Sequence, residues 1–223
     1  MPSRVVIDIE TLGFPLESFD EAQQKYLLKF AESEDERVQT IQKLSLYPTT
    51  AQIIAVGMLN PDTNKGEVLF QSGRSVDAFS DGELIHFKSG EEREILTKFW
   101  EDVLKFDQFI TFNGRGFDCP FLLLRSALLD IKPTRNLMPY RYDASVHCDL
   151  LEQFTFYGAF RKFSLDFYCK SFGIESPKSH GITGLDLGKL FEQKRFQEIA
   201  DYCLGDLRAT AELFRRWERY LRF

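Results

Sequence analysis

Long apolar runs are what this 223-residue chain most visibly lacks. No stretch approaches the ~18–20 hydrophobic residues that a membrane-spanning helix needs, and the N-terminus carries no signal-peptide pattern. The expectation is an intracellular, cytoplasmic protein with no membrane partner. Cysteine is sparse as well: Cys119, Cys148, Cys169 and Cys203 stand far apart and none forms a CxxC pair. That spacing gives no support to a zinc knuckle or a thioredoxin-like motif, and the four read as reduced core residues. A basic excess is missing too, since the formal net charge is −6. An acidic average provides no general footprint for duplex DNA or RNA, although a metal site can hold phosphates locally against it. There is no internal repeat and no low-complexity tract, and the chain is short for two domains.

What is present is a globular composition, with 43% hydrophobic residues and 22 phenylalanines. Arg4-Val5-Val6-Ile7-Asp8-Ile9-Glu10-Thr11 reads as a buried strand because β-branched residues crowd together. Side chains alternate along a strand, so Asp8 and Glu10 share one face. Two carboxylates in line within a Val/Ile strand are costly unless something positive neutralises them, and hard cations such as Mg²⁺ or Mn²⁺ prefer such oxygen ligands. Near the other end, Phe196, Ile199, Cys203, Leu207, Thr210, Phe214, Trp217 and Leu221 recur every three or four residues, which predicts a long amphipathic helix. Tyr202 and Asp206 sit one turn apart on the edge of that stripe, with Gly205 beside them. Alone, the pair reads first as an ion-paired acid and a half-buried aromatic, and second as the border of a cleft. Asp118 follows Asn113-Gly114-Arg115-Gly116-Phe117 where a helix begins, and alone it reads as a helix-capping carboxylate.

Between these landmarks the chain alternates. A segment spanning 14–48 has helical spacing, with Phe19, Ala22, Tyr26, Leu27 and Phe30, then Val38, Ile41 and Leu44, as its apolar positions. It carries seven acids against four bases and reads either as a solvated cover or as a lid beside Glu10. Strands are expected at Gln52–Leu59 and Glu67–Gln71, making a meander with the first, and then at Gln108–Phe112 and His147–Leu150. Helices are expected over Glu91–Phe106 (Ile95, Phe99, Val103 and Leu104 inward), Asp118–Leu129, Leu165–Phe172, Asp186–Gln193 and Phe196–Leu221. Three strands followed by strands alternating with helices make an α/β domain with a mixed sheet flanked by helices. A ribonuclease H-like fold with a helical insertion after the first strand fits that order, as do some other three-layer α/β folds.

Taken in order, D-x-E-T at Asp8–Thr11, N-x-x-x-F-D at Asn113–Asp118 and Y-x-x-x-D at Tyr202–Asp206 resemble the three motifs of the DEDD 3′–5′ exonucleases. The tyrosine in the last motif marks the DEDDy branch. Phe112-Asn113-Gly114, His147-Cys148-Asp149-Leu150 and Ser164-Leu165-Asp166 add likeness to the predicted 3′–5′ exonuclease family related to the proofreading domain of family B DNA polymerases. The resemblance covers nearly the whole chain, read as one domain over 1–223; the acidic insertion is its clearest departure.

This resemblance implies hydrolysis of single-stranded nucleic acid from its 3′ end to nucleoside 5′-monophosphates, DNA favoured over RNA, with two Mg²⁺ or Mn²⁺ ions ~3.5–4 Å apart. It implies that Asp8 bridges the metals, that Glu10 and Asp206 complete one site, and that Asp118 holds the other. Tyr202 would orient the attacking water, Glu10 and the Thr11 backbone would hold the terminal 3′-hydroxyl, and Leu12 would wedge against the last base. Further candidates for substrate contact are Asn113, Phe117 and Arg115, with Phe14 as a stacking residue and Lys178-Ser179-His180 as a weaker loop candidate. Phe112, His147, Asp149 and Asp166 read as structural, and Arg161-Lys162 as surface charge. The competing class is an inactive ribonuclease H-like binding or scaffolding module, against which the complete acid set counts.

Overall fold

The computed structural model describes residues 3–175, 181 and 183–222, so Lys178, Ser179 and His180 lie outside the described residues. Seven strands form one mixed sheet in the order β4-β5-β3-β2-β1-β6-β7. They are β1 (Arg4–Gly13), β2 (Ala51–Leu59), β3 (Gly66–Phe70), β4 (Asp77–Ser80), β5 (Ile85–Ser89), β6 (Gln108–Thr111) and β7 (His147–Asp149). Strand β1 runs antiparallel to β2 and parallel to β6, and β2 with β3 makes the expected meander. The β4–β5 ribbon extends the sheet beyond β3, where the sequence reading has no strand.

Alternation along β1 divides the molecule. Val5, Ile7 and Ile9 face one core with Ile95, Leu96, Phe99 and Trp100 of α3 (Glu92–Asp102) and Cys119, Phe121 and Leu122 of α4 (Asp118–Leu128). Val6 and Leu12 belong to the opposite core, beneath α8 (Phe196–Tyr220). Asp8 and Glu10 share their phase and point toward that helix. On α8 the stripe Ile199, Cys203, Leu207, Thr210, Phe214 and Trp217 is buried as its spacing predicts. Each large apolar side chain contributes about 1.5–3 kcal/mol by burial. This packing, and not the acidic pair at its edge, determines where the helix lies. Its far end is pinned by Arg4, which bonds Glu218 and Asp62 and lies 5.1 Å from the centre of the Phe214 ring.

Two differences from the expected inward faces have simple causes. Leu104 is exposed because α3 ends at Asp102 and a 3₁₀ turn over Val103–Lys105 changes the phase, leaving only Val103 inward. The segment after β1 is helical, as α1 (Glu21–Leu27) and α2 (Glu34–Gln42), each opened by a capping box. Neither helix buries a residue, and Tyr26, Phe30 and Val38 are exposed although their period is helical. Attachment comes from Leu16 and Leu44, which are buried, and from Thr11 Oγ1, which donates to Ser45 O at 2.7 Å. Short helices α5 (Leu150–Phe154), α6 (Leu165–Ser171) and α7 (Leu187–Glu192) complete the face around α8. Among the described residues no helix is long and apolar enough to cross a membrane.

Candidate active site

Three pieces of local architecture bring the acids together. First, the β1–β2 ladder shifts register between Glu10 and Thr11, with Glu10 opposite Ala55 and Thr11 opposite Ile53. Ile54 is the extra residue of a bulge, and both it and Ala55 turn toward the α8 core. Second, Gly57 lies opposite Asp8 and faces α8. A Cβ there would collide with Leu207 and approach Cys203 Sγ to 2.8 Å, so the glycine lets α8 lie directly against the strands at the level of Asp8. Third, β6 pairs with β1 only from Arg4 to Val6. Beyond that point the Ile9 N–H donates to Asp118 Oδ1 at 3.1 Å, which ties the first turn of α4 to β1.

The loop that delivers Asp118 is equally determined. Asn113 adopts φ +62°, and Gly114 packs on Thr111 where no side chain would fit. Asp149 holds the turn by accepting from the Asn113 and Arg115 N–H groups, both at 2.9 Å, and it caps α5 by accepting from Leu151 N–H. Its structural reading is borne out. His147 is likewise structural: it contacts Thr111 Oγ1 at 2.8 Å, and burial pushes it down to about 3, so it stays neutral.

Asp8 is partly buried, while Glu10 and Asp118 are 7% and 5% exposed. Ligand atoms of Asp8, Glu10 and Cys203 lie within 4.8 Å of one another. Burial pushes the Asp8 carboxyl far up, reinforced by the charges of Glu10, Asp206 and Asp118. Glu10 is raised in the same way by burial and then by Asp206 and Asp118. Asp118 rises to about 7, chiefly by burial, against the lowering effect of its own helix backbone and the Ile9 N–H. The four acids therefore share one electrostatic neighbourhood. Among the described residues no Lys, Arg or His forms an ion pair with Asp8, Glu10 or Asp118, and Asp8 Oδ2 is buried without a hydrogen-bond partner. Tyr202 borders the same cluster. Burial, then Asp206, Glu10 and Asp8, push its hydroxyl well above the usual value, so it remains a donor.

This donor set fits hard divalent cations, because buried carboxylates that converge on one another need positive charge. Cys203 is the member that sequence reasoning missed. Burial and the neighbouring acids keep its thiol protonated, and its Sγ sits 3.9 Å from the Asp8 carbonyl oxygen, so it supports the strand beneath the oxygens. Its place in the α8 stripe and the lone glycine in β2 were the available signals. Of the residues expected near substrate, Leu12 packs at 3.6 Å from where a Gly188 Cβ would stand, and Phe117 lies 5.5 Å from Phe121, ring to ring. Phe14 carries the Arg125 guanidinium on its face at 5.0 Å. Arg115, a candidate for substrate contact, is turned into the protein. Its side chain is 8% exposed and donates to Pro139 O and Tyr140 O, with Glu152 at 3.5 Å.

The sheet is ribonuclease H-like, and its first strand carries an acidic cluster. More specifically, the chain belongs to the family of predicted 3′–5′ exonucleases related to the exonuclease domain of PolB, whose model matches residues 68–221. That match contains Asp118, Tyr202 and Asp206, while Asp8 and Glu10 precede it. The chain is similar to DNA polymerase 1 of Sulfurisphaera ohwakuensis, 30% identical over 123 residues, covering 48% of this chain and 14% of the polymerase. It is also similar to DNA polymerase 1 of Sulfolobus acidocaldarius, 28% identical over 137 residues, covering 55% and 15%. In fold it resembles the family B DNA polymerase of Pyrobaculum calidifontis, with a TM-score of 0.63 and 18% identity over all of this chain and 25% of the polymerase. The chain thus spans only a small part of each of these relatives.

Proposed function

We propose that the chain trims single-stranded 3′ ends, DNA in preference to RNA, by hydrolysing the last phosphodiester and releasing a nucleoside 5′-monophosphate with two divalent cations bound. The observation that carries this reading is the buried, unpartnered Asp8 Oδ2 amid Glu10, Asp118 and Asp206. Asp8, Glu10, Asp118 and Asp206 hold the ions, with Mg²⁺ or Mn²⁺ favoured by the all-oxygen donors. Bound there, the cations supply activation of water and stabilisation of charge on the leaving 3′-oxygen. Tyr202, kept protonated, orients the attacking water by donating from Oη. Glu10 and the Thr11 backbone receive the terminal 3′-hydroxyl; the Thr11 hydroxyl is already committed to Ser45. Leu12 abuts the last base, and Asn113 and Phe117 contact the strand. Arg115 acts by holding the loop that presents them.

The test is incubation of labelled DNA and RNA oligonucleotides, blocked at either end, with and without Mg²⁺ or Mn²⁺. Shortening from a free 3′ end is expected only with metal, and Asp8→Ala or Asp206→Ala abolishes it in a folded protein. Wild-type trimming by either variant removes that residue from the mechanism. Absence of product under every condition overturns the enzymatic reading in favour of a binding module.

A further inference from the structure

The turn that presents Asp118 also forms one wall of a second feature. A groove of about 300 Å³ is lined by Asn113, Arg115, Arg141, Asp149, Glu152 and Lys162. Tyr140, whose carbonyl accepts from Arg115, and Tyr142, next to Arg141 in sequence, are 74% and 57% exposed, and Phe156 and Phe160, just after α5, are 56% and 65% exposed. Tyr142 leans on Tyr157 at 4.7 Å and on Tyr140 at 5.7 Å, while Phe156 and Phe160 lie 5.9 Å apart.

The backbone holds these rings outward. Phe156 and Tyr157 both adopt left-handed φ, +48° and +58°, before Gly158 at +98°. Two successive aromatic residues in that region are uncommon and need support from their surroundings. Support comes from the Tyr157 N–H, which donates to Glu152 O at 2.7 Å, and from Gln153 Nε2, which donates to Tyr157 Oη at 2.9 Å.

Charge completes the pattern. Three bases line the groove against two acids, in a chain whose net charge is −6. Asp149 is consumed by backbone N–H groups, and Glu152 is shared between Arg115 at 3.5 Å and Arg141 at 2.8 Å. Lys162 is exposed and enters no ion pair among the described residues, and Arg161 beside it lies over the Phe163 ring at 5.1 Å. Exposed rings beside the unpaired Lys162, with Arg141 half exposed at its ion pair, make a surface on which bases stack and phosphates are neutralised.

We propose that this groove is a second binding surface for single-stranded nucleic acid, taking the nucleotides upstream of the 3′ end. Its phosphates meet Lys162 first and then the half-exposed Arg141, and its bases stack on Tyr142. Its link to the acid cluster rests on the exonuclease reading; its affinity for a strand does not. The affinity is sequence-tolerant, since every base presents a π-face.

Binding of 5′-fluorescein oligothymidylates of three and twelve nucleotides, followed by anisotropy in EDTA with the full chain, decides the matter. Tyr142→Ala is expected to weaken the twelve-mer at least about fivefold while Tyr142→Phe restores it. Lys162→Ala lowers the slope of log affinity against log salt by about 0.7, and the three-mer is unaffected by either change. With Mg²⁺ present, the same variants raise KM for the long oligomer and leave kcat unchanged. Wild-type affinity and salt slope in both variants overturn the groove, whatever trimming is observed, and would turn attention to a protein partner for the rings. A twelve-mer bound through Tyr142 and Lys162 but never shortened by the wild type overturns the exonuclease reading and leaves the groove standing.

Discussion

Asp118→Asn is expected to stabilise the metal-free protein at pH 8 while weakening its metal response. The carboxyl rises from the ordinary 3.8 to about 7, mainly because it is buried. At about 1.4 kcal/mol for each tenfold, the folded state carries about 4 kcal/mol of penalty from ionising this one group. The folded value lies above the unfolded one, so the group's contribution to stability is intact below pH 4 and is lost as pH climbs through about 7. Asparagine keeps an oxygen to accept from Ile9 N–H and removes the charge. Neighbouring carboxylates relax in the wild type by sharing protons, so the variant recovers part of the penalty, about 1–4 kcal/mol. For a chain of this size that raises Tm by at least about 2 °C. Thermal melts in EDTA at pH 4.5 and pH 8 measure it, with the gain confined to the higher pH. Adding Mg²⁺ at a hundredfold excess over Kd stabilises the wild type by about 2.7 kcal/mol and the variant by less. A variant no more stable than wild type at pH 8, or equally stabilised at pH 4.5, refutes the claim that Asp118 is held ionised at a cost.

Two other perturbations follow from the same geometry. Tyr202→Phe removes the water-orienting donor, so kcat falls while Mg²⁺-dependent stabilisation persists; because the hydroxyl stays protonated, the wild-type pH–rate profile shows no limb from Tyr202 below pH 9. Gly57→Ala pushes its methyl into Leu207 and Cys203, costing about 1–3 kcal/mol in urea unfolding and lowering trimming more than the stability loss explains, since α8 must move off β1.

Much of the fold is legible because its elements bury one face. The Val/Ile runs of β1 and β2 and the 3.6-residue stripe of α8 announce themselves for that reason. Strand β4 does not: all four of its residues are exposed, so no alternation marks it, and it exists only as the partner of β5. Helix α5, five residues long, is below the length at which a period can be read. Tyr26 and Phe30 show the converse error, since a helical period states that a face exists and not that anything covers it.

The site divides along the same line. That Asp8 and Glu10 share a face follows from strand alternation alone, and that Tyr202 and Asp206 share an edge follows from helical spacing. Whether the two pairs meet depends on how closely a helix may approach a strand nearly 150 residues earlier in the chain, as the Gly57–Cys203 contact shows. A missing Cβ sets that distance, and the bulge at Ile54 changes the β1–β2 register immediately after Glu10. Neither residue carries chemistry, so a search for reactive groups passes over both. Shifting Gly57 to any larger residue would leave every acid in the sequence untouched and still part Asp206 from Asp8, because in this fold the acids are assembled by the packing of side chains that never touch a substrate.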